Sequence, residues 1–214
     1  MSIFYTIEMY TWFFICVLGM FTAIALHFKS VEHIEQQKKY GKERGVKIGK
    51  IYGTISGTME SIFLLGLWTS PQPSFTIPVI SNLSISIANF PMPILHLIIS
   101  LPIIVLGAWI AIRGVKATRL EVAETHCTPK RLETTGVYSI VRHPQYLGWI
   151  LAHIGMSFLL SVWYSMLFTP ILIAAIYMIS KKEEDELIRE FGRDYEDYQK
   201  EVPMMIPHRI LRAR

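Results

Sequence analysis

Apolar residues in this chain gather into long runs separated by short polar connections. The runs cover residues 10–28, 52–69, 93–112, 145–162 and 165–180. A helix crossing a bilayer needs roughly 20 mostly apolar residues, which four of these runs meet well and one only loosely. The pattern predicts an all-α integral membrane protein of about five spans. Very few residues around Trp163 separate the last two runs, which predicts a tight antiparallel hairpin. After it, Leu187, Phe191, Tyr195 and Tyr198 recur at helical spacing, so 181–200 reads as a cytosolic amphipathic helix that Pro203 and Pro207 end. Before the third run, Leu83, Ile85 and Ile87 alternate with serines in a proline-rich connection, which suggests a short extended piece.

The charges fit this count. Lys29, Lys38, Lys39, Lys42, Arg44, Lys47 and Lys50 follow the first run. Residues 70–92 carry no charge, then Arg113, Lys116, Arg119, Lys130, Arg131 and Arg142 follow. Basic connections stay on the cytosolic side. Five spans with the N-terminus outside and the C-terminus cytosolic satisfy that rule; four or six break it. The start of the chain has no positive segment and no small-residue cleavage site, so the first run reads as a retained helix.

Composition agrees. Of 214 residues, 51% are hydrophobic and 18% charged, and no Asp, Glu, Lys or Arg occurs over residues 61–112. An ordinary soluble domain, a disordered chain and a disulfide-stapled secreted module are excluded. The net charge of +4 comes from basic residues between apolar runs, so anionic lipid headgroups are the expected partner and not nucleic acid. Cys16 and Cys127 are too differently placed to pair, and no metal-ligand spacing is visible. Glycines at 41, 45, 49, 53 and 57 mark one helix face for close packing, within the chain or between copies in a homo-oligomer. The chain divides into 1–128, with three spans and basic loops, and 129–214, a core with the last two spans and the tail.

Two polar segments stand where the membrane should end. In one, Arg142-His143-Pro144-Gln145-Tyr146 opens the fourth run, with Pro144 suited to a helix's first turn. Free N–H groups there, with Arg142 and His143, suit a carboxylate or phosphate. The plainer reading makes Arg142 an interfacial anchor and Tyr146 and Trp149 belt residues. In the other, Lys181-Lys182-Glu183-Glu184-Asp185-Glu186 ends the fifth run. It reads either as a solvated face or as a carboxylate cluster that the hairpin returns toward Arg142 and His143. The two clusters would then bracket a pocket for a zwitterionic amino acid. Glu60, inside the second run, is a functional candidate or a protonated packing residue bonded to Ser or Thr. His96 and His153 read as interhelical hydrogen-bonders.

These residues carry a resemblance. Gly136-Val137-Tyr138, Arg142-His143-Pro144 with Tyr146 and Gly148, then Glu183-Glu184, Leu187, Phe191-Gly192, Tyr195, Tyr198 and Val202-Pro203 resemble the isoprenylcysteine carboxyl methyltransferase and phospholipid methyltransferase family. The likeness covers roughly residues 130–207; the first 120 are alike only in being membrane helices. It implies S-adenosyl-L-methionine as cofactor, with Leu132, Tyr138, His143, Pro144, Gln145, Tyr146 and Glu183 lining its pocket. Lys130 joins them, standing where the family's carboxyl methyltransferases usually carry a histidine. Their substrate-side arginine is replaced here by Ile179, with Lys181 and Lys182 nearby. The implied acceptor is lipophilic, either a prenylcysteine-like carboxylate, which is favoured, or a phospholipid amine. A carboxylate needs only a cation to position it, whereas an amine needs a base. Arg142 is expected to orient the acceptor or the cofactor's carboxylate, Glu183 to hold the cofactor's ammonium, and Glu184 to act as the base. Other classes remain, namely an NADPH-dependent membrane reductase and a non-enzymatic membrane scaffold.

Overall fold

The computed structural model describes residues 3–77, 83–87, 90–118 and 131–207, most of them helical. Lys130 and Cys127, both discussed above, lie outside the described residues. α1 (Ile3–Ser30), α2 (His33–Tyr40) and α3 (Lys42–Thr69) come first. Gly41 separates α2 from α3 at φ +81°, a left-handed conformation that costs glycine nothing. It therefore acts as a turn and not as the first member of a helical stripe. Gly45, Gly49 and Gly53 are buried within the chain, and a Cβ on Gly45 would lie 2.5 Å from the Gln37 backbone. Gly57 faces open space.

A two-stranded antiparallel ladder follows, β1 (Ser84–Ile87) with β2 (Phe90–Pro93), pairing Ile85 with Met92 and Ser86 with Pro91. It realises the short extended piece expected there. β2 leads directly into α4 (Ile94–Thr118). Then come α5 (Pro144–Leu159), α6 (Trp163–Phe191) and α7 (Arg193–Glu201).

Among the described residues, three helical stretches are long and apolar enough to cross a membrane: Tyr10–Ser30 of α1, α4 and α6. Their outward side chains suit lipid, with Leu18 67% and Val105 65% exposed. α1 packs along α3, and α4 along α5. The α4–α5 crossing is close because Gly107 and Gly148 meet there. A Cβ on Gly148 would stand 2.6 Å from the Gly107 carbonyl oxygen. Met20, Leu67, Ile150, Leu172 and Ile176 join α1, α3, α5 and α6 in one apolar core.

Residues 160–162 connect α5 to α6, and the Phe75 N–H donates to the Ser161 carbonyl at 3.0 Å, holding the 70–77 segment across that connection. His96 Nδ1 lies 2.8 Å from Ser161 Oγ. His153 accepts from the Trp68 indole at 3.2 Å and donates to the Ser165 carbonyl at 3.1 Å. Both histidines bridge elements, as their apolar settings suggest.

The tail departs from the sequence expectation. Residues 181–191 do not start a separate helix; they continue α6 beyond its apolar part. Gly192, at φ +56°, ends α6 and lets α7 leave in a new direction. The expected apolar stripe survives the break, because Leu187, Phe191, Tyr195 and Tyr198 pack together with Leu132 and Val202.

Candidate active site

The site is built where α5 begins. Pro144 occupies the first helical position, where its missing N–H leaves no bond unmade, and His143 precedes it as the N-cap. Proline biases the preceding residue away from helical backbone, and His143 sits at φ −120°, ψ 64°. Its backbone N–H and that of Arg142 are therefore free to turn outward. They donate to the carbonyls of Met204 and Pro203 at 3.0 and 2.9 Å. The tail beyond α7 is thus laid across the entry to α5. Tyr198 strengthens this closure by donating to the Tyr138 carbonyl at 2.6 Å.

The late turns of α6 bring two carboxylates to the same place. Arg142 donates from Nε to Glu184 Oε1 at 2.7 Å, with Nη2 also 2.7 Å away. Its Nη1 donates to the carbonyls of Gln199, at 3.1 Å, and Val202. Glu184 also meets His143 Nε2 at 3.2 Å and accepts from Gln199 at 2.9 Å. The side chains are only 9% and 3% exposed, so this is a buried, fully hydrogen-bonded ion pair. The expected picture of acidic and basic clusters on opposite sides of an open pocket is corrected here. They are in direct contact. The donors of Arg142 are directed at Glu184 and the tail, and the oxygens of Glu184 at Arg142, His143 and Gln199.

Glu183 points elsewhere. Its Oε2 lies 3.3 Å from His143 Nδ1, and its Oε1 accepts from the Tyr146 hydroxyl at 2.7 Å. The His143 and Tyr146 rings stack at 5.7 Å, one turn apart on α5. His27 Nε2 reaches the Tyr146 oxygen at 3.1 Å, and His27 Nδ1 reaches Glu60 Oε1 at 2.8 Å. Glu60 is therefore bonded to a histidine, whereas its packing alternative places it on a serine or threonine. The sequence reading missed His27 and Gln199. A histidine at the end of an apolar run was a signal for His27; nothing local marks Gln199, which depends on where α7 returns.

His143 is buried between these carboxylates. Burial is the largest single influence on it and opposes its charge, yet the hydrogen bonds and charges of Glu183 and Glu184 together outweigh burial and hold its pKa above the usual 6.5.

A cleft lies beside the pair. Leu132, Glu133, Tyr138, Arg142, Tyr195 and Tyr198 line a small cavity of about 80 Å³, with Arg131 and Leu187 completing the wall. That is smaller than the roughly 300–1,000 Å³ of small-molecule sites. Gln145 donates to the Tyr138 hydroxyl and to Thr118 Oγ1, each at 3.2 Å, so it braces one wall. Glu133 accepts from Thr135 at 2.5 Å; that bond leads the influences holding its pKa below the usual carboxylate range. The residues expected around the cofactor thus fall into two groups. Leu132 and Tyr138, with Gln145 behind, belong to the cleft. His143, Tyr146 and Glu183 form the adjoining buried network, and Pro144 sets the helix start.

Residues 95–194 match the phospholipid methyltransferase family. The match covers 100 of the 214 residues, just under half of the chain. It starts within α4, upstream of the boundary at 129, and holds Arg142, His143, Tyr146, Glu183 and Glu184. Individual relatives agree with the segment. A methanethiol S-methyltransferase of Crocosphaera subtropica is 33% identical over 94 residues, 44% of this chain and 36% of that protein. A protein-S-isoprenylcysteine O-methyltransferase of Schizosaccharomyces pombe is 39% identical over 77 residues, 36% of this chain and 33% of that protein. The Mus musculus protein of the same name is 35% identical over 96 residues, 41% of this chain and 30% of that protein. The chain spans about a third of the length of these curated relatives. A family of methyltransferases implies S-adenosylmethionine as methyl donor, and the resemblance drawn from the motifs is shown.

Proposed function

We propose that the protein is an integral membrane methyltransferase that moves a methyl group from S-adenosylmethionine to a lipophilic acceptor, favouring the carboxylate of a prenylcysteine-like molecule. The observation that carries this reading is the Arg142–His143–Glu183–Glu184 cluster, closed by the tail and flanked by the tyrosine-walled cleft, within a methyltransferase family segment.

The cleft's chemistry fits the cofactor. Tyr138, Tyr195 and Tyr198 offer aromatic faces, Leu132 and Leu187 apolar contact, and Glu133 an ionised acceptor for hydroxyls. Glu183, held by Tyr146 and His143, is the carboxylate for the cofactor's ammonium. Lys130 is proposed to join from the preceding connection. When bound, S-adenosylmethionine supplies a methyl group already activated on a sulfonium sulfur. The protein then has to align the partners and exclude water, which the tail and its bonds to Arg142 and His143 do.

Arg142 and Glu184 act in this reading as a positioning pair that fixes α5, α6 and the tail together. Because Glu184 is directed at three donors, it is poorly placed to take a proton from an ammonium. A carboxylate acceptor releases no proton, and this supports it over a phospholipid amine. A thiol acceptor is the second reading, favoured by the relatives named methanethiol S-methyltransferase.

The same proposal includes five spans, with α3 and α5 as the two beyond those already described, α5 and α6 as an antiparallel hairpin, an outside N-terminus and a cytosolic C-terminus. Alternation of basic and uncharged connections supports it.

The test is calorimetric binding of S-adenosylhomocysteine to the detergent-solubilised full chain, beside His143→Ala and Glu183→Gln. Saturable binding by the natural chain, lost in both variants, is expected. Absence of binding to folded natural chain overturns the reading. Methyl transfer to N-acetyl-S-farnesylcysteine, methanethiol or phosphatidylethanolamine vesicles then separates the three acceptors.

A further inference from the structure

The polar network at Glu183 extends beyond the family segment. Tyr146 belongs to α5, but its oxygen meets His27 of α1, and His27 meets Glu60 of α3. Both of those helices precede residue 95. Four helices, two before the segment and two within it, therefore share one line of hydrogen bonds that ends on Glu183.

Proton counting gives the line a direction. A phenol has one proton, and with Glu183 ionised the Tyr146 proton goes to Glu183 Oε1. The Tyr146 oxygen then accepts, and its partner His27 Nε2 carries the hydrogen. A single proton lies between His27 Nδ1 and Glu60 Oε1, whichever of the two holds it. In either state Nε2 keeps its hydrogen. Glu60 thus fixes the ring orientation of His27 and the nitrogen that faces Tyr146, as the second partner of an imidazole generally does. A carboxyl group within a membrane helix is costly, and Glu60 stays 29% exposed at its side chain. Simple packing would not require it.

We propose that His27 and Glu60 are positioning residues of the active site, acting through Tyr146 to hold Glu183 ionised and aimed for the cationic group of the methyl donor. The inference rests on the methyltransferase reading above. It makes α1 and α3 part of the site, so the segment 95–194 is incomplete without them.

The test is a double-mutant cycle read by the dissociation constant for S-adenosylhomocysteine, using the solubilised full chain and a melting curve for each variant. His27→Ala is expected to weaken binding about tenfold, the scale of a hydrogen bond that supports a charged group. In a Tyr146→Phe background the same change should cost less than about twofold, because residues acting through one another are non-additive. His27→Gln keeps an amide donor near the Nε2 position and should recover most of the affinity. Glu60→Leu should weaken binding in the same direction as His27→Ala. An unaltered affinity in His27→Ala, or an equal loss in both backgrounds, overturns the inference and leaves the methyltransferase reading standing. Failure of the natural chain to bind overturns that reading instead. Should His27→Ala not fold, His27→Gln is compared with His27→Asn, whose shorter amide cannot reach Tyr146; equal affinities overturn the inference.

Discussion

His143 sits between two carboxylates with almost no water around it, so its proton has consequences for stability. Glu184 lies 3.2 Å from one ring nitrogen and Glu183 3.3 Å from the other. Losing the proton leaves two carboxylates facing a neutral ring, with Glu184 still bonded to Arg142 and Gln199 and Glu183 to Tyr146. The folded pKa lies above the ordinary 6.5, so protonation favours the folded state. That contribution is complete below about pH 6.5 and is lost as pH rises through the folded value. The melting temperature of the natural chain minus that of His143→Gln should therefore shrink on going from pH 6 to pH 9. A difference that stays flat across this range would show that His143 is neutral in the fold. At this scale the sequence showed the actors well. Pro144 marks a helix start, and two adjacent glutamates mark where an apolar run ends. It did not show that Arg142 and Glu184 satisfy each other. That depends on the tail's crossing over 142–143, a contact made sixty residues away. Nor did it show the His27–Glu60 pair, whose members lie on different helices with no local pattern joining them.

Between helices, the determining feature is how closely two backbones approach. In lipid, helix pairing depends on such approach, because lipid tails are as apolar as the side chains they would replace. Gly148 and Gly107 provide it at the α4–α5 crossing, each with its prospective Cβ inside 3 Å of the other's carbonyl oxygen. The close crossing sets the direction of α5, and so of Arg142, His143 and Tyr146 at its start. Gly148→Ala must push the helices apart and should lower stability by ~2 kcal/mol, the typical cost of overpacking. Gly57→Ala is the control, since nothing lies within 4 Å of its prospective Cβ. Its melting temperature should stay level or rise slightly, alanine being the better helix former. Equal effects at the two positions would mean that the crossing does not govern the stability of the chain. The glycine stripe at 41–57 was legible as a packing face, but one of its members serves as a turn and another faces outward. Spacing alone does not record backbone conformation, and Gly41 is separated from its apparent neighbours by a positive φ. Gly192 repeats the lesson, dividing an amphipathic pattern between α6 and α7.

At the scale of the molecule, α1 with α3 and α4 with α5 form two closely packed pairs, and α6 joins both through the apolar core. The polar network crosses the same junction, from Glu60 and His27 in one pair to Tyr146 in the other and Glu183 on α6. Its placement at one membrane face depends on the orientation proposed for the spans. α5 has 16 residues, about 24 Å of helix at 1.5 Å per residue, which is short against a hydrocarbon core of about 30 Å. The five-span proposal therefore needs residues 160–162 and the 70–77 segment folded across them to make up the remaining thickness. α3 has the length, 28 residues, but its first turns are charged and only its later part is apolar. Its spanning is therefore the critical step in the count, and side-selective labelling tests it directly. In a Cys16→Ser, Cys127→Ser background, single cysteines replace Lys39, Gln72 and Asp197. Position 72 should react with an impermeant maleimide in sealed right-side-out vesicles, and positions 39 and 197 only after permeabilisation. If 39 and 72 react from the same side, α3 does not cross and the alternation of charge has another cause.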